Sequence, residues 1–206
     1  MRIQNPISNI KGLTSEQGML TAQTLIEVVH LKDIYTGGHS VRVGTYTRRI
    51  AEALNLGRQE TDQIALAATL HDIGKIGIPD AILLKEGSLD ADEWVHVKRH
   101  CEYGWSILRH IAELEPVGLM LLHHHERYDG FGYPVGLAGE QIPLGSRVIS
   151  VADAYDAMTT DRPYRKALGR DIAMEELRRC AGTQFDPIVV EAFCASMGSR
   201  PKSLQS

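Results

Sequence analysis

The sequence predicts an all-α protein, a single-domain helical bundle, on three observations. Apolar residues recur every three to four positions along most of the chain, as they do on the buried face of a helix. Glycine, proline or a capping side chain separates these stretches. A convincing strand-type alternation is absent, and a length of 206 residues suits one domain. We expect a lead-in over residues 1–13, a domain over residues 14–198 and a flexible tail over residues 199–206.

The boundaries of the predicted helices follow ordinary start and stop signals. Thr14 and Asp90 each stand three residues before a glutamine or glutamate, which is the pattern of a capping box. Gly104 is expected to interrupt a helix. The inward stripe of the first helix is predicted to be Leu20, Ile26, Val28, Val29 and Leu31. In order, the predicted helices cover about residues 14–34, 40–57, 58–72, 90–103, 105–111, 116–122, 146–159, 171–180 and 187–196.

The composition is that of an ordinary globular protein. Hydrophobic residues make up 43% of the chain and charged residues 23%, with a net charge of −4. This balance argues against general binding to a nucleic acid polymer or an anionic membrane. No apolar run approaches the roughly 20 residues that a membrane span needs. Three cysteines without a CxxC pattern fit reduced thiols, so we expect a cytoplasmic location.

The most informative stretch is His71-Asp72-Ile-Gly-Lys75, at the predicted end of a buried helix. Histidine offers a nitrogen ligand, and aspartate can bridge two metal ions. Lysine is a point charge that suits a phosphate group. The apolar run before the stretch and the glycines after it predict that the polar pair points inward. The alternative is a capped helix end without any ligand.

Other potential ligands stand at predicted helix ends and breaks. His39 follows a Gly-Gly pair, while His124 and His125 close a helix. Asp153 lies on an apolar helix face, where a carboxylate is costly unless it is paired or bound to metal. Histidine and carboxylate ligands without cysteine favour iron, manganese or zinc. For each residue alone, a structural or surface role is the alternative.

A long aperiodic stretch follows these histidines, from Glu126 to Gly145, and it contains five glycines. A loop of this length inside a compact helical domain is commonly a functional segment. We therefore expect it to overhang the site that His124 and His125 help to form.

Five motifs together resemble the HD-GYP family, within the HD superfamily of metal-dependent phosphohydrolases. The motifs are Thr36–Arg42, His71–Lys75, His124–Glu126, Asp129–Pro134 and Asp161–Arg165. They stand in the order that the family has, and the resemblance covers about residues 20–195. Members of this family are bacterial phosphodiesterases that act on cyclic di-GMP. Their fold is all-α, in agreement with the helical periodicity.

The resemblance implies two divalent metal ions, most simply iron or manganese, with zinc, nickel and magnesium as alternatives. The implied ligands are His39, His71, Asp72 and Asp153 for one ion and His100, His124 and His125 for the other. Asp72 would bridge the two ions. Members with three metal ions carry a glutamate where this chain has Tyr35, so the two-metal form is favoured. His123 lies outside the implied set and is expected to be structural.

The resemblance also implies hydrolysis of cyclic di-GMP to linear pGpG, to GMP, or to both. A hydroxide that bridges the metal ions would attack phosphorus in line. Lys75 and the metals would stabilise charge on the phosphate, while Asp72, the other implied catalytic residue, would hold the two ions. Arg162 and Arg165 would hold the phosphates, unless they are a solvated surface pair. Tyr133 would pack against a guanine or hydrogen-bond to it, unless it is only a turn residue.

Two other interpretations stay open at this point. The first is an HD phosphohydrolase for dNTPs, alarmones or cyclic GMP-AMP, although the intact Gly-Phe-Gly-Tyr-Pro loop argues against dNTPs and alarmones. The second is a catalytically weak signalling or binding module, against which stands the complete two-metal ligand set. Because no large sensor domain fits ahead of residue 14, regulation is expected from a protein partner, a homodimer contact or a further part of a longer protein.

Overall fold

The computed structural model describes residues 15–32, 38–161 and 166–198. Within these ranges the chain forms α-helices joined by turns, and β-structure is limited to an isolated bridge between Ala181 and Phe185. The all-α fold predicted from periodicity is confirmed. The helices are α1 Glu16–Lys32, α2 His39–Ala53, α3 Arg58–Leu70, α4 Asp80–Leu83, α5 Ala91–Lys98, α6 His100–Leu108, α7 Glu115–Leu122, α8 Leu144–Thr159, α9 Arg170–Arg179 and α10 Pro187–Gly198.

The first helix differs in two details from its prediction. Thr14 lies outside the described residues, and Ser15 caps α1 by accepting the backbone N–H of Gly18 at 2.9 Å. The prediction that Leu20 points inward is wrong, since 64% of this residue is exposed. The buried stripe follows a spacing of four and then three residues, and Leu20 lies off it. That stripe is Ala22, Ile26 and Val29.

The predicted interruption at Gly104 is also wrong. Gly104 lies inside α6 and is buried, and the break falls instead at Arg99, between α5 and α6. α6 runs against the 3₁₀ turn Ile73–Gly77. A Cβ added to Gly74 in that turn would overlap the carbonyl oxygen of His100 and lie 2.6 Å from the Gly104 nitrogen. Gly74 therefore lets the His71–Lys75 stretch approach α6 backbone to backbone.

The hydrophobic core lies between α2, α3, α7, α8 and α10, which pack on one another. Its fully buried members include Ile50, Ile64, Leu121, Ile149 and Phe193. The core fixes the start of α2 and the end of α3, where the predicted ligands stand. In the described ranges, no helix combines the length and apolar character needed to cross a membrane.

The contact between Gly74 and α6 gives a first prediction. Gly74→Ala should lower the free energy of unfolding by about 3 kcal/mol, because the added methyl group meets backbone atoms that cannot rotate away. Urea unfolding of the metal-free protein would measure the change. Gly87→Ala is the matched control, since nothing lies within 4 Å of its added Cβ. Equal stability of the two variants would contradict the close approach.

Candidate metal centre

Four segments bring imidazole rings to one place in the structure. His39 begins α2, His71 follows α3, His100 begins α6, and His124 and His125 follow α7. The ring centroids of His71 lie 5.2 Å from His39 and 5.4 Å from His124. The centroid of His100 lies 5.3 Å from His124 and 5.1 Å from His125. Residues that are up to 86 positions apart along the chain therefore form one cluster.

Three of these histidines are oriented in the same way. Each ring donates a hydrogen bond from Nδ1 to the backbone carbonyl three residues earlier. The pairs are His71 with Ala68 at 2.7 Å, His100 with Val97 at 2.7 Å and His124 with Leu121 at 2.6 Å. Because a carbonyl only accepts, Nδ1 carries a proton, and the lone pair of a neutral ring is then on Nε2. This is the tautomer that a metal ligand needs, and its orientation is fixed by the backbone.

The Nε2 atoms are spaced as ligands of one ion would be. The Nε2 atoms of His100 and His124 lie 3.4 Å apart. Two zinc–nitrogen bonds of about 2.0–2.1 Å at a tetrahedral angle would separate their nitrogens by about the same distance. Burial lowers the pKa of His100 and His124, and that of His125 to about 4. These rings are therefore neutral at physiological pH and able to bind a cation.

Asp72 lies between the two halves of the cluster. Its Oδ2 is 3.6 Å from Nε2 of His71, and its Oδ1 is 4.0 Å from Nε2 of His100. Burial alone would raise the pKa of the Asp72 carboxyl, but Lys75 and the nearby imidazoles hold that pKa well below its usual range. The ionised carboxylate thus presents one oxygen to each half, as a bridging ligand would.

His39 and Asp153 form a pair at the edge of the cluster. Nε2 of His39 lies 3.3 Å from Oδ1 of Asp153. Burial lowers the pKa of His39, yet hydrogen bonds to Asp153 and Asp156 raise it to about 9. Burial raises the pKa of Asp153, while the bond to His39 lowers it to about 2. Without metal this is an ion pair around the Nε2 proton, and a bound cation would take the place of that proton.

Two groups of side chains could therefore hold metal ions. In each group the potential ligand atoms all lie within 4.8 Å of one another. The first group is His39, His71 and Asp72, and the second is His100, Cys101, His124 and His125. The donor chemistry, imidazole nitrogens with carboxylate oxygens, fits divalent transition metals.

Cys101 was not predicted in this environment. Its Sγ lies 3.6 Å from Nε2 of His100 and 3.9 Å from Nδ1 of His124, and it is fully buried. Burial, with the charge of Asp72, raises the pKa of the Cys101 thiol, so it is protonated in the metal-free protein. In the sequence, the position of Cys101 directly after His100 was the signal that could have predicted this proximity. The three cysteines form no disulfide.

The structure describes two of the four predicted substrate residues, Lys75 and Tyr133. The Lys75 ammonium lies 2.6 Å from Oδ2 of Asp72, beside the cluster. The ring of Tyr133 packs on His125, with centroids 5.0 Å apart, and Nζ of Lys98 lies 5.3 Å from its centre. One face of Tyr133 therefore lies against a predicted metal ligand and is not open to a base. Arg162 and Arg165 lie outside the described residues, as does Tyr35.

The glycine-rich loop is tied to the cluster by Glu126, a role that was not predicted from the sequence. Its buried carboxylate accepts the backbone N–H of Val135 at 2.8 Å and that of Gly136 at 3.0 Å. The N–H of Tyr133 also donates to the carbonyl of His125 at 3.3 Å. These hydrogen bonds hold the loop against His125 and Glu126. His123, predicted to be structural, is buried with Nδ1 3.6 Å from Glu126.

Loss of the Glu126 carboxylate should release this loop. Glu126→Ala removes the charged acceptor of the Val135 and Gly136 N–H groups, and each such hydrogen bond contributes about 1.5–3 kcal/mol. Phe131, which is 84% exposed, then becomes more accessible to chymotrypsin. We expect cleavage after Phe131 to accelerate roughly tenfold or more. Glu140→Ala, at an exposed loop glutamate, should leave the rate unchanged, and equal rates in both variants would contradict the role of Glu126.

Comparison with known proteins gives a family match and curated relatives. The model of the family described as HD domain matches residues 23–189. The chain is 41% identical over 174 residues to the cyclic di-GMP phosphodiesterase response regulator RpfG of Xanthomonas campestris pv. campestris, covering 84% of this chain and 46% of the relative. It is 41% identical over 169 residues to the 3'3'-cGAMP-specific phosphodiesterase 3 of Vibrio cholerae, covering 82% and 36%.

The chain thus spans less than half the length of these curated relatives. Among solved structures, Bd1817, an HDG"Y"P protein from Bdellovibrio bacteriovorus, has the same fold with a TM-score of 0.63 at 20% identity. That match covers 78% of this chain and 52% of the other chain.

Proposed function

This chain belongs to the HD-domain family, as its HD-GYP motifs predicted, and we propose that it is a metal-dependent phosphodiesterase that hydrolyses cyclic di-GMP to pGpG, GMP or both. The observation that carries this proposal is the convergence of imidazoles and carboxylates beside a lysine and a glycine-rich loop. Such a cluster is costly to bury without a cation, because the carboxylates lose their hydration. Together, the imidazoles, the carboxylates and the lysine are suited to a cation-dependent reaction on a phosphate ester.

The proposed centre holds two divalent ions, with iron or manganese favoured by the donor set and zinc, nickel or magnesium as alternatives. His39, His71, Asp72 and Asp153 would hold one ion, and His100, His124 and His125 would hold the other. When bound, divalent ions supply a water-derived nucleophile near neutral pH and withdraw charge from the phosphate. The observation in support is the presence of two separate ligand groups, with Asp72 turned toward both.

The remaining roles belong to the side chains around the centre. Asp72 would bind both cations, one through each of its two carboxylate oxygens. Lys75, whose side chain is 37% exposed, would turn from Asp72 toward a non-bridging phosphate oxygen and stabilise the charge that develops there. Tyr133 would position the loop against His125 and offer its hydroxyl to the substrate. The assignment of Arg162 and Arg165 as phosphate-binding residues stays a prediction.

A second cyclic dinucleotide, which differs in its bases, is also a candidate substrate. One relative is named for cyclic di-GMP and another, at the same identity, for cyclic GMP-AMP, so cyclic GMP-AMP is the alternative substrate. The two cyclic dinucleotides share the phosphodiester ring and differ in one base. A regulatory partner, a homodimer and a cytoplasmic location stay predictions, as does the domain extent of residues 14–198.

Metal analysis tests the centre. Protein purified without oxygen and loaded with Mn²⁺ should contain two ions per chain. Asp72→Ala should lose both, because the bridging carboxylate is missing from each half, while His100→Ala should lose mainly one. Asp92→Ala, at an exposed position in the first turn of α5, should keep both ions. Wild-type metal content in Asp72→Ala would show that Asp72 does not bridge.

Product chromatography tests the reaction. Metal-loaded protein should hydrolyse cyclic di-GMP faster than dGTP or bis(p-nitrophenyl) phosphate. Tyr133→Ala should raise KM more than it lowers kcat, because the tyrosine acts in binding rather than in bond cleavage. If cyclic GMP-AMP is hydrolysed faster than cyclic di-GMP, cyclic GMP-AMP is the preferred substrate. Hydrolysis of dGTP alone would support a different HD phosphohydrolase, and no hydrolysis by fully loaded protein would support a binding module.

A further inference from the structure

His39 is held differently from the other oriented histidines. Its Nδ1 meets a carboxylate, that of Asp156, whereas His71, His100 and His124 each meet a backbone carbonyl. We propose that Asp156, clamped by Arg42, is the positioning residue that sets the metal-binding tautomer and direction of His39. This inference rests on the metal centre proposed above. Neither Asp156 nor Arg42 was assigned a role from the sequence.

The acceptor for His39 comes from another helix. His39 is the first residue of α2, and Thr36, three residues before it, lies outside the described residues. α8 supplies the acceptor, since Asp153 and Asp156 lie one turn apart on the same helix face. Asp153 lies 3.3 Å from Nε2 of His39, and Asp156 lies 2.7 Å from Nδ1. The two carboxylates thus contact both ring nitrogens.

Three N–H groups converge on the Asp156 carboxylate. Oδ2 accepts from Nδ1 of His39 at 2.7 Å and from Nη2 of Arg42 at 3.0 Å, and Oδ1 accepts from Nε of Arg42 at 2.6 Å. Asp156 is 1% exposed, so water does not compete for these oxygens. The bidentate guanidinium fixes the plane of the carboxylate and balances its buried charge.

This arrangement determines which nitrogen of His39 can bind metal. An ionised carboxylate accepts but does not donate, so Nδ1 of His39 must carry a proton. The lone pair of the neutral ring is then on Nε2, on the side of Asp153 and the other imidazoles. Carboxylate partners of this kind orient metal-bound histidines and raise their basicity, and their loss typically costs about 10–100-fold in metal affinity.

Asp156→Asn tests this role without changing the volume of the side chain. An asparagine has one acceptor oxygen and an NH₂ group where the carboxylate has two acceptors. If its NH₂ faces His39, the proton of the ring moves to Nε2 and blocks the metal. If its NH₂ faces Arg42, it meets the Nε–H donor and the clamp is lost. Both orientations should weaken metal binding at His39.

The experiment measures Mn²⁺ affinity of the metal-free protein by competition with a fluorescent chelator. Asp156→Asn should bind one of its two Mn²⁺ ions roughly 10–100-fold more weakly than wild type. Asp62→Asn is the matched control, because Asp62 is also a buried aspartate paired with an arginine of α2, Arg48, at 2.7 Å. The thermal midpoints of both metal-free variants report any general loss of stability.

A second readout follows the tautomer itself. In Zn²⁺-loaded wild type, histidine ¹⁵N spectra should show Nδ1 of His39 protonated, and Asp156→Asn should lose that signal or the bound metal. Wild-type Mn²⁺ affinity in Asp156→Asn, or equal weakening in Asp62→Asn, would overturn the proposal. Wild-type protein that binds neither Mn²⁺ nor Zn²⁺ would overturn both this proposal and the metal centre. Weakened binding in Asp156→Asn without any hydrolysis of cyclic di-GMP by wild type would overturn only the proposed activity.

Discussion

Buried hydrogen bonds to Nδ1 hold four imidazole rings, and the geometry of the candidate centre depends on them. Three of the acceptors are backbone carbonyls, and the fourth is the carboxylate of Asp156. Each bond leaves Nε2 as the atom that faces the shared space, so the rings are set for a cation before one arrives. Such an arrangement spares the centre the entropy of ordering its ligands during binding.

The two halves of the centre differ in charge. Asp72 and Asp153 contact the half that contains His39, with Asp156 behind it. The other half consists of neutral imidazoles and a buried thiol, and Asp72 turns one carboxylate oxygen toward it. Asp72 therefore lies close to both halves, and the Lys75 ammonium at 2.6 Å is its counter-charge in the metal-free protein.

Glycines and a buried glutamate connect this centre to its surroundings. Gly74 allows the turn after Asp72 to lie directly against the start of α6, which brings His100 near Asp72. Glu126 folds the glycine-rich loop back onto the residues after His125, and Tyr133 packs on that ring. The loop therefore contacts a candidate ligand through the ring of Tyr133 and is held in place by the carboxylate of Glu126.

The sequence by itself predicted the helices other than α4, because helical periodicity and capping residues are local properties, and the resemblance of its motifs to a family implied the candidate ligands. It did not determine that Leu20 is exposed or that Gly104 lies inside α6, since the direction of a helix face depends on what packs against it. The Asp156–His39 bond joins residues 117 positions apart, and Glu126 meets Val135 only after the loop has closed. The tertiary structure alone decided these contacts, because the packing of α2 against α8 selects which of many buried carboxylates meets which donor.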